Sequence, residues 1–418
     1  MILAFKAAAI GASENFFMGL WYTANNVDRG FGITTHGTAD VYVCGRRSDG
    51  TRNRGILLKI DQTPDVLWAR DFTDSANSVD WRSVATDGTQ VFVSGYIPTV
   101  NGTPIVEYDT SGTVTLQRRY ARTSSSLRIS SLHMDGSNNV TFGGSCVDLE
   151  DMMYGEMSGT GTNTLGKFYD LSLLIQGWGH WVDSSNNFYV SGTGSLGYGY
   201  LMKADSSGVH QWTTRYGGGT HENYAIIGTA AGETYVMTRF TSGTAAVGLC
   251  KYNSSGSLLW QRKLAAANDM FAGLNIGIDS DENVYICGVV NSSPQVGFIA
   301  KYNSSGTIQW QRTLASGDGN FAVNAVTCDT NKNLYVVGTC VDGGLDRGFI
   351  GKFPADGSLT GTYSFSTVNV TYGVSTYTTS TPTEATTSQA GTTMTNLTFN
   401  TPTMTSATVT ATDEWKAL

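Results

Sequence analysis

The chain has 418 residues, 50 of them glycine and only 7 proline, with 14% charged residues and a net charge of −8. Glycine without a three-residue period excludes collagen, and 46 aromatic side chains with so little charge exclude a wholly disordered chain. The acidic balance argues against a nucleic-acid binder, which needs a basic face, and no run of about 20 apolar residues exists to span a bilayer.

In chain order, the N-terminal MILAFKAAAIGA is a short apolar run. Its one early charge, Lys6, lies inside the run, so it departs from the charged-then-apolar order of a signal peptide. Residues 16–25, which run into GLWYTANN (19–26), read as a strand.

From residue 27 a repeat takes over. A turn followed by β-formers and glycine recurs seven times, as HGTADVYVCG (36–45), TDGTQVFVSG (86–95), DGSNNVTFGG (135–144), DSSNNFYVSG (183–192), TAAGETYVMT (229–238), DSDENVYICG (279–288) and DTNKNLYVVG (329–338). A second landmark, Lys59, Glu107, Glu156, Lys203, Lys251, Lys301 and Lys352, keeps separations of 48, 49, 47, 48, 50 and 51. VGLCKYNSSGSLLWQRKL (247–264) and VGFIAKYNSSGTIQWQRTL (296–314) are close copies. Each unit reads as four short strands joined by Asn/Asp/Ser/Gly turns. Such a unit cannot bury both faces alone, and seven arranged radially bury them against one another. The expected fold is therefore all-β, a seven-bladed β-propeller over residues 27–366 preceded by an N-terminal segment, 1–26.

On the outermost strands Trp68, Trp212, Trp260 and Trp310 hold one position, with Leu116 and Leu165 in units two and three. A large apolar residue fixed per unit is expected to pack blade on blade. Trp21 aligns with this position and offers residues 16–25 as the strand that closes the ring. GSLTGTYSF (357–365) offers itself for the same place, and one of the two is surplus.

Residues 367–418 change composition, with 19 threonines, and no Lys or Arg occurs from Phe353 to Trp415. Alternation in TVNVTYGVSTYT and TNLTFNTPTMTSATVTAT predicts strands. They need a partner, either the propeller side or the same tail in neighbouring subunits. DEWKAL at the end reads as a docking peptide carrying Trp415, or as a frayed end.

The D-x-x-x-N-[VFL]-Y-[VI]-x-G block, clearest at 183–192, 279–288 and 329–338, resembles the repeats of bacterial and viral seven-bladed β-propeller proteins. The KYNSSG…WQR block at 251–262 and 301–312 is similar to tandem repeats of tailed-bacteriophage virion structural proteins. The resemblance covers about residues 27–365; units three and five fit loosely. It implies a non-enzymatic virion component, a tail, appendage or outer-surface protein. Its expected partners are other virion proteins, copies of itself and a host-surface glycan. A secreted or cell-surface carbohydrate-binding propeller is the alternative, and a glycan-acting propeller enzyme a more distant one.

Chemistry is sparse. GTGSLG (192–197) matches a dinucleotide fingerprint but is followed by another strand rather than a helix, and so reads as a hairpin loop. His180 is expected to be a buried, satisfied histidine, and no histidine has a second ligand at metal spacing. The acidic loop with Asp148, Glu150, Asp151 and Glu156 reads as solvated, and Asp279 and Asp281 as turn-formers. No acid recurs on the innermost strands, so no carboxylate pair is nominated; no catalytic residue, cofactor or metal is expected. The one dense basic patch, GRRSDGTRNRG, places Arg46, Arg47, Arg52 and Arg54 as candidate contacts for an acidic partner. Cys44 and Cys287 share a position with Ser94 and Ser191, a small packed site; the cysteines are expected free, with a Cys328–Cys340 bridge as the alternative.

Overall fold

The computed structural model describes residues 3–388 apart from 10–15, 24–26, 38–39, 49, 62–65, 73–76, 98–101, 121–126, 136, 147–150, 170–174, 195, 220 and 366–367. Among the described residues there is no helix, and hence none long and apolar enough to cross a membrane. The strands pair antiparallel into seven sheets around a central channel: a β-propeller of four-stranded blades.

Six blades use four successive segments. Blade 1 consists of Asp28–His36, Asp40–Ser48, Asn53–Ile60 and Val66–Phe72, innermost to outermost. In blade 6 the innermost strand is broken into Met270–Ala272 and Gly277–Ile278. The equal division expected from the repeat stops there. The seventh sheet takes Phe321–Cys328, Leu334–Asp342 and Leu345–Phe353 from the C-terminal side and is completed by Phe17–Thr23. Leu3–Ala9 then pairs outside Phe17–Thr23. The surplus segment is the C-terminal candidate: Gly361–Phe365 leaves blade 7 and pairs with Val368–Val374.

Register corrects the alignment of Trp21. Trp68, Trp212, Trp260 and Trp310 stand opposite Lys59, Lys203, Lys251 and Lys301, but the residue opposite Lys352 is Phe17. Trp21 lies four residues further along the strand, opposite Gly348. It is fully buried there, with its ring filling the space a Cβ on Gly348 would need.

The outer-strand landmarks latch each blade to the next. The indole N–H groups of Trp68, Trp212, Trp260 and Trp310 donate to the carbonyls of Thr110, Ser254, Ser304 and Ala355, each in the turn that follows the third strand of the next blade, at 3.0–3.2 Å. Two residues on, Arg70, Arg262 and Arg312 donate to Gly112, Gly306 and Gly357 at 2.6–2.7 Å. These glycines, with Gly161, Gly208 and Gly256, have φ between 70° and 83°, a conformation that residues with a Cβ resist. A Cβ would also strike the Trp ring, or Leu116 at Gly161 and Leu165 at Gly208. Below each latch a lysine of the third strand lies over a tyrosine of the second, as Lys301 does 5.0 Å from the Tyr285 ring. The Asp-x-x-x-Asn-x-Tyr block is a self-contained turn: Asp279 accepts from the Asp281 and Asn283 backbone N–H groups, the Asn283 amide and the Tyr285 hydroxyl.

The threonine-rich segment lies on the propeller side. Val368–Val374 pairs with the outer strand of blade 6, Thr378–Ser380 with that of blade 5, and Thr386–Ser388 with that of blade 4. Equivalent outer-strand positions Leu314, Leu264 and Tyr216 meet Tyr372, Thr379 and Thr386, so this strap advances seven residues per blade, backwards around the rim. The glutamine of the WQR motif grips it. Gln311 donates to the Tyr377 carbonyl at 3.0 Å and accepts from its N–H at 3.1 Å, and Gln261 donates to the Glu384 carbonyl at 3.0 Å. Residues 389–418, with Trp415, lie outside the described residues.

Candidate functional site at the channel mouth

The innermost strands carry a feature absent from the expected alternation. Their ladders skip one residue between Gly30 and Gly32, Trp81 and Ser83, Ile129 and Ser131, Gly177 and Gly179, and Val323 and Ala325, and two residues between Asn223 and Ile226. In blade 6 the strand breaks around Leu274. A bulge leaves its extra residue out of the ladder and re-aims its side chain. The bulged residues are Phe31, Arg82, Ser130, Trp178, Tyr224 and Asn324, with Leu274 at the break.

The local cause lies on the second strand. Gly45, Gly95, Gly144, Gly192 and Gly338 face the bulges, and a Cβ on any of them would run into the carbonyl of Arg29, Asp80, Arg128, Gln176 or Ala322 respectively. The glycine that ends each VYVCG-type block is therefore required by close backbone approach rather than by a turn. Unit five, which has Thr238 in its place, is the one with the wider irregularity.

Five of these seven residues and one neighbour, Arg128, enclose a cavity of about 270 Å³: Arg82, Arg128, Ser130, Trp178, Tyr224 and Leu274. It shares Arg82, Ser130 and Leu274 with the channel cavity of about 300 Å³ and so forms the channel mouth. Trp178 stacks on Tyr224 with ring centroids 5.6 Å apart and planes inclined by 27°. Arg128 lies 4.9 Å from the Tyr96 ring and 5.7 Å from that of Trp178, and Arg82 lies 4.3 Å from the Phe31 ring.

Acids do stand on the innermost strands here, contrary to the expectation: Asp80 and Glu222, each two residues before a bulged one. Both are engaged. Asp80 accepts from Arg46 at 3.1 Å and Arg82 at 3.3 Å; Glu222 accepts from the Tyr224 hydroxyl at 2.7 Å and Arg239 at 3.2 Å. Arg29 is paired with Asp346 at 2.5 Å. Arg128 has no carboxylate partner among the described residues. Burial pushes the Arg82 pKa down; Asp80 opposes this, and the neighbouring Arg128 and Arg46 cations add to it.

The basic patch expected on the first blade is largely spent on carboxylates. Arg47 and Arg54 face Asp71, Arg46 faces Asp80, and Arg52 lies half-buried in the connecting loop. Of the acidic loop, Asp148 and Glu150 lie outside the described residues, Asp151 is buried, and Glu156 accepts from the Thr164 hydroxyl at 2.6 Å. Gly197 of GTGSLG closes a hairpin onto the Gly194 carbonyl at 2.9 Å. All six cysteines are free. Cys340 stands opposite Phe321 and Cys328 opposite Leu334, at the two ends of one strand pair, so the alternative bridge is not formed. Burial pushes the Cys44 and Cys287 thiols upward, away from reactivity.

Deeper in the channel, His180 is buried, with Nε2 3.0 Å from the Thr141 hydroxyl and Nδ1 2.9 Å from that of Ser131. His133 packs against Trp181, with ring centroids 4.4 Å apart and planes inclined by 48°. Burial holds His180 down to about 3 and His133 to about 4. Above pH 6.5 both are neutral in the folded and the unfolded chain. As pH falls below 6.5 the unfolded chain takes up protons that the folded chain refuses, so stability is lost down to about pH 4 for His133 and about pH 3 for His180. Denaturant midpoints measured from pH 7 to 5 should fall in the wild type and fall less steeply in His180→Gln; parallel curves would contradict this assignment.

No protein-family model matches the chain, and no curated protein matches it. Among solved structures it is similar to hydrazine synthase from Kuenenia stuttgartiensis, with a TM-score of 0.53 and 9% identity, covering 79% of this chain and 96% of that one. It is also similar to Sqt1 from Chaetomium thermophilum, with a TM-score of 0.50 and 9% identity, covering 79% and 97%. At such identity these likenesses speak to the propeller fold alone.

Proposed function

We propose that the chain is a non-enzymatic binding propeller, a rigid platform that meets its partner through the channel mouth. The observation that carries this reading is the contrast between repetition and variation. The latching glycine recurs from blade to blade and the large apolar residue against it is Trp or Leu, whereas the bulged residues at the mouth are Phe, Arg, Ser, Trp, Tyr, Leu and Asn. A scaffold that repeats its packing and varies one ring of side chains is suited to recognition. Hydrolysis of a glycan by the usual route needs two carboxyl groups free to act as acid and as base or nucleophile. Asp80 and Glu222 are instead held by arginines.

The resemblance of the repeats supports a place in a bacteriophage virion, as a tail, appendage or outer-surface component among other virion proteins and copies of itself. Mass spectrometry of purified particles tests this: stoichiometric presence is expected, and presence only in host cytoplasm would overturn it. The aromatic and arginine lining also favours a second setting, a secreted or cell-surface carbohydrate-binding propeller. Recovery of the chain from bacterial surface fractions, without particles, would favour that one.

A further inference from the structure

We propose that the channel mouth binds an acidic saccharide, a pyranose ring carrying a carboxylate, with the ring against Trp178 and Tyr224 and the carboxylate towards Arg128 and Arg82. The proposal rests on the binding-platform reading and names its ligand class.

Charge is the first argument. Among the described residues, Arg29 and Arg239 at the mouth have their own carboxylates, Arg46 and Arg82 share Asp80, and Arg128 has none. A protein of net charge −8 thus keeps a local surplus of cations in one cavity. Arg128 stands close enough to Arg82 to disfavour the Arg82 charge, a cost that an anion between them relieves. Guanidinium groups meet carboxylates through paired N–H donors.

Surface is the second argument. Trp178, Tyr224 and Leu274 make much of the wall apolar, which suits the C–H face of a sugar ring and a weakly hydrated monoanion better than a doubly charged phosphate. The volume of about 270 Å³ has room for one sugar unit.

The test is calorimetric titration of the full chain with trigalacturonate and sialyllactose, against the methyl ester of the former and lactose as neutral counterparts. An acidic sugar is expected to bind at least ten-fold more tightly than its neutral counterpart, with affinity falling as salt rises. Arg128→Gln should weaken the acidic ligand about ten-fold and leave the neutral one unchanged. Trp178→Ala should weaken both, with the thermal midpoints of both variants close to wild type. Equal binding of acidic and neutral sugars, or an unaffected Arg128→Gln, would overturn the role of charge. Binding of none of the four would overturn the site. Neither result bears on whether the chain is a particle component, which is read from purified particles.

Discussion

Replacing Trp21 by alanine is expected to cost about 3–5 kcal/mol and to weaken ring closure in particular. Trp21 is fully buried in the seam between the last and first blades, in one cluster with Phe17, Ile33, Val43, Ile56 and Val337. It fills the space left by Gly30 and Gly348, neither of which can supply a side chain in its place. Six blades are covalently continuous, but the seventh sheet is held to its outer strand only by hydrogen bonds and this packing. The loss therefore falls where the two ends of the chain meet. Urea denaturation should show a lower midpoint, and limited proteolysis should cut within the released Phe17–Thr23 strand before elsewhere. Trp178→Ala, at the open mouth, should cost far less, and a Trp21→Ala midpoint equal to wild type would contradict the closure described.

Replacing Tyr372 by alanine should cost a comparable amount, about 3–5 kcal/mol, although Tyr372 lies outside the repeats in a threonine-rich segment. Its ring is fully buried, 4.6 Å from Phe353 and 6.4 Å from Phe16. Val368 and Val370 are buried beside it, while Asn369 and Thr371 face solvent. The strand that extends blade 6 thus covers the strand that closes blade 7, and one aromatic cluster joins the two termini of the propeller. Tyr372→Phe keeps the ring and should recover most of the stability. Calorimetric midpoints decide between this and a merely peripheral tail, for which Tyr372→Ala would shift little.

Much of this architecture is legible in the sequence because its landmarks have single physical causes. The lysine of the third strand, the Trp of the fourth and the glycine of the next hairpin recur together because they form one latch, completed two residues on by Arg70, Arg262 and Arg312 or by the Thr214 hydroxyl. The D-x-x-x-N-x-Y block recurs because one carboxylate satisfies a whole turn. The mouth was harder to read. A one-residue bulge breaks alternation only locally, and its residue changes chemistry in every unit, so no repeat marks it. The mark sits on the partner strand, in Gly45, Gly95, Gly144, Gly192, Gly288 and Gly338, which a reading of turns passes over. Trp21 misled for a related reason. An aromatic residue near the expected place was matched to the latch position, which register gives to Phe17. The path of the strap was hidden because its contacts at Thr378–Ser380 and Thr386–Ser388 are three residues each, too short to carry a period of their own.

Hydrogen exchange on the full chain, with and without saturating acidic saccharide, locates the recognition surface most directly. Added protection is expected at the bulged segments around Arg82, Arg128–Ser130, Trp178 and Tyr224, with the rim strands of the strap unchanged. Protection confined to the rim, or to the hairpins of the opposite face, would show that the channel mouth is not where this propeller meets its ligand.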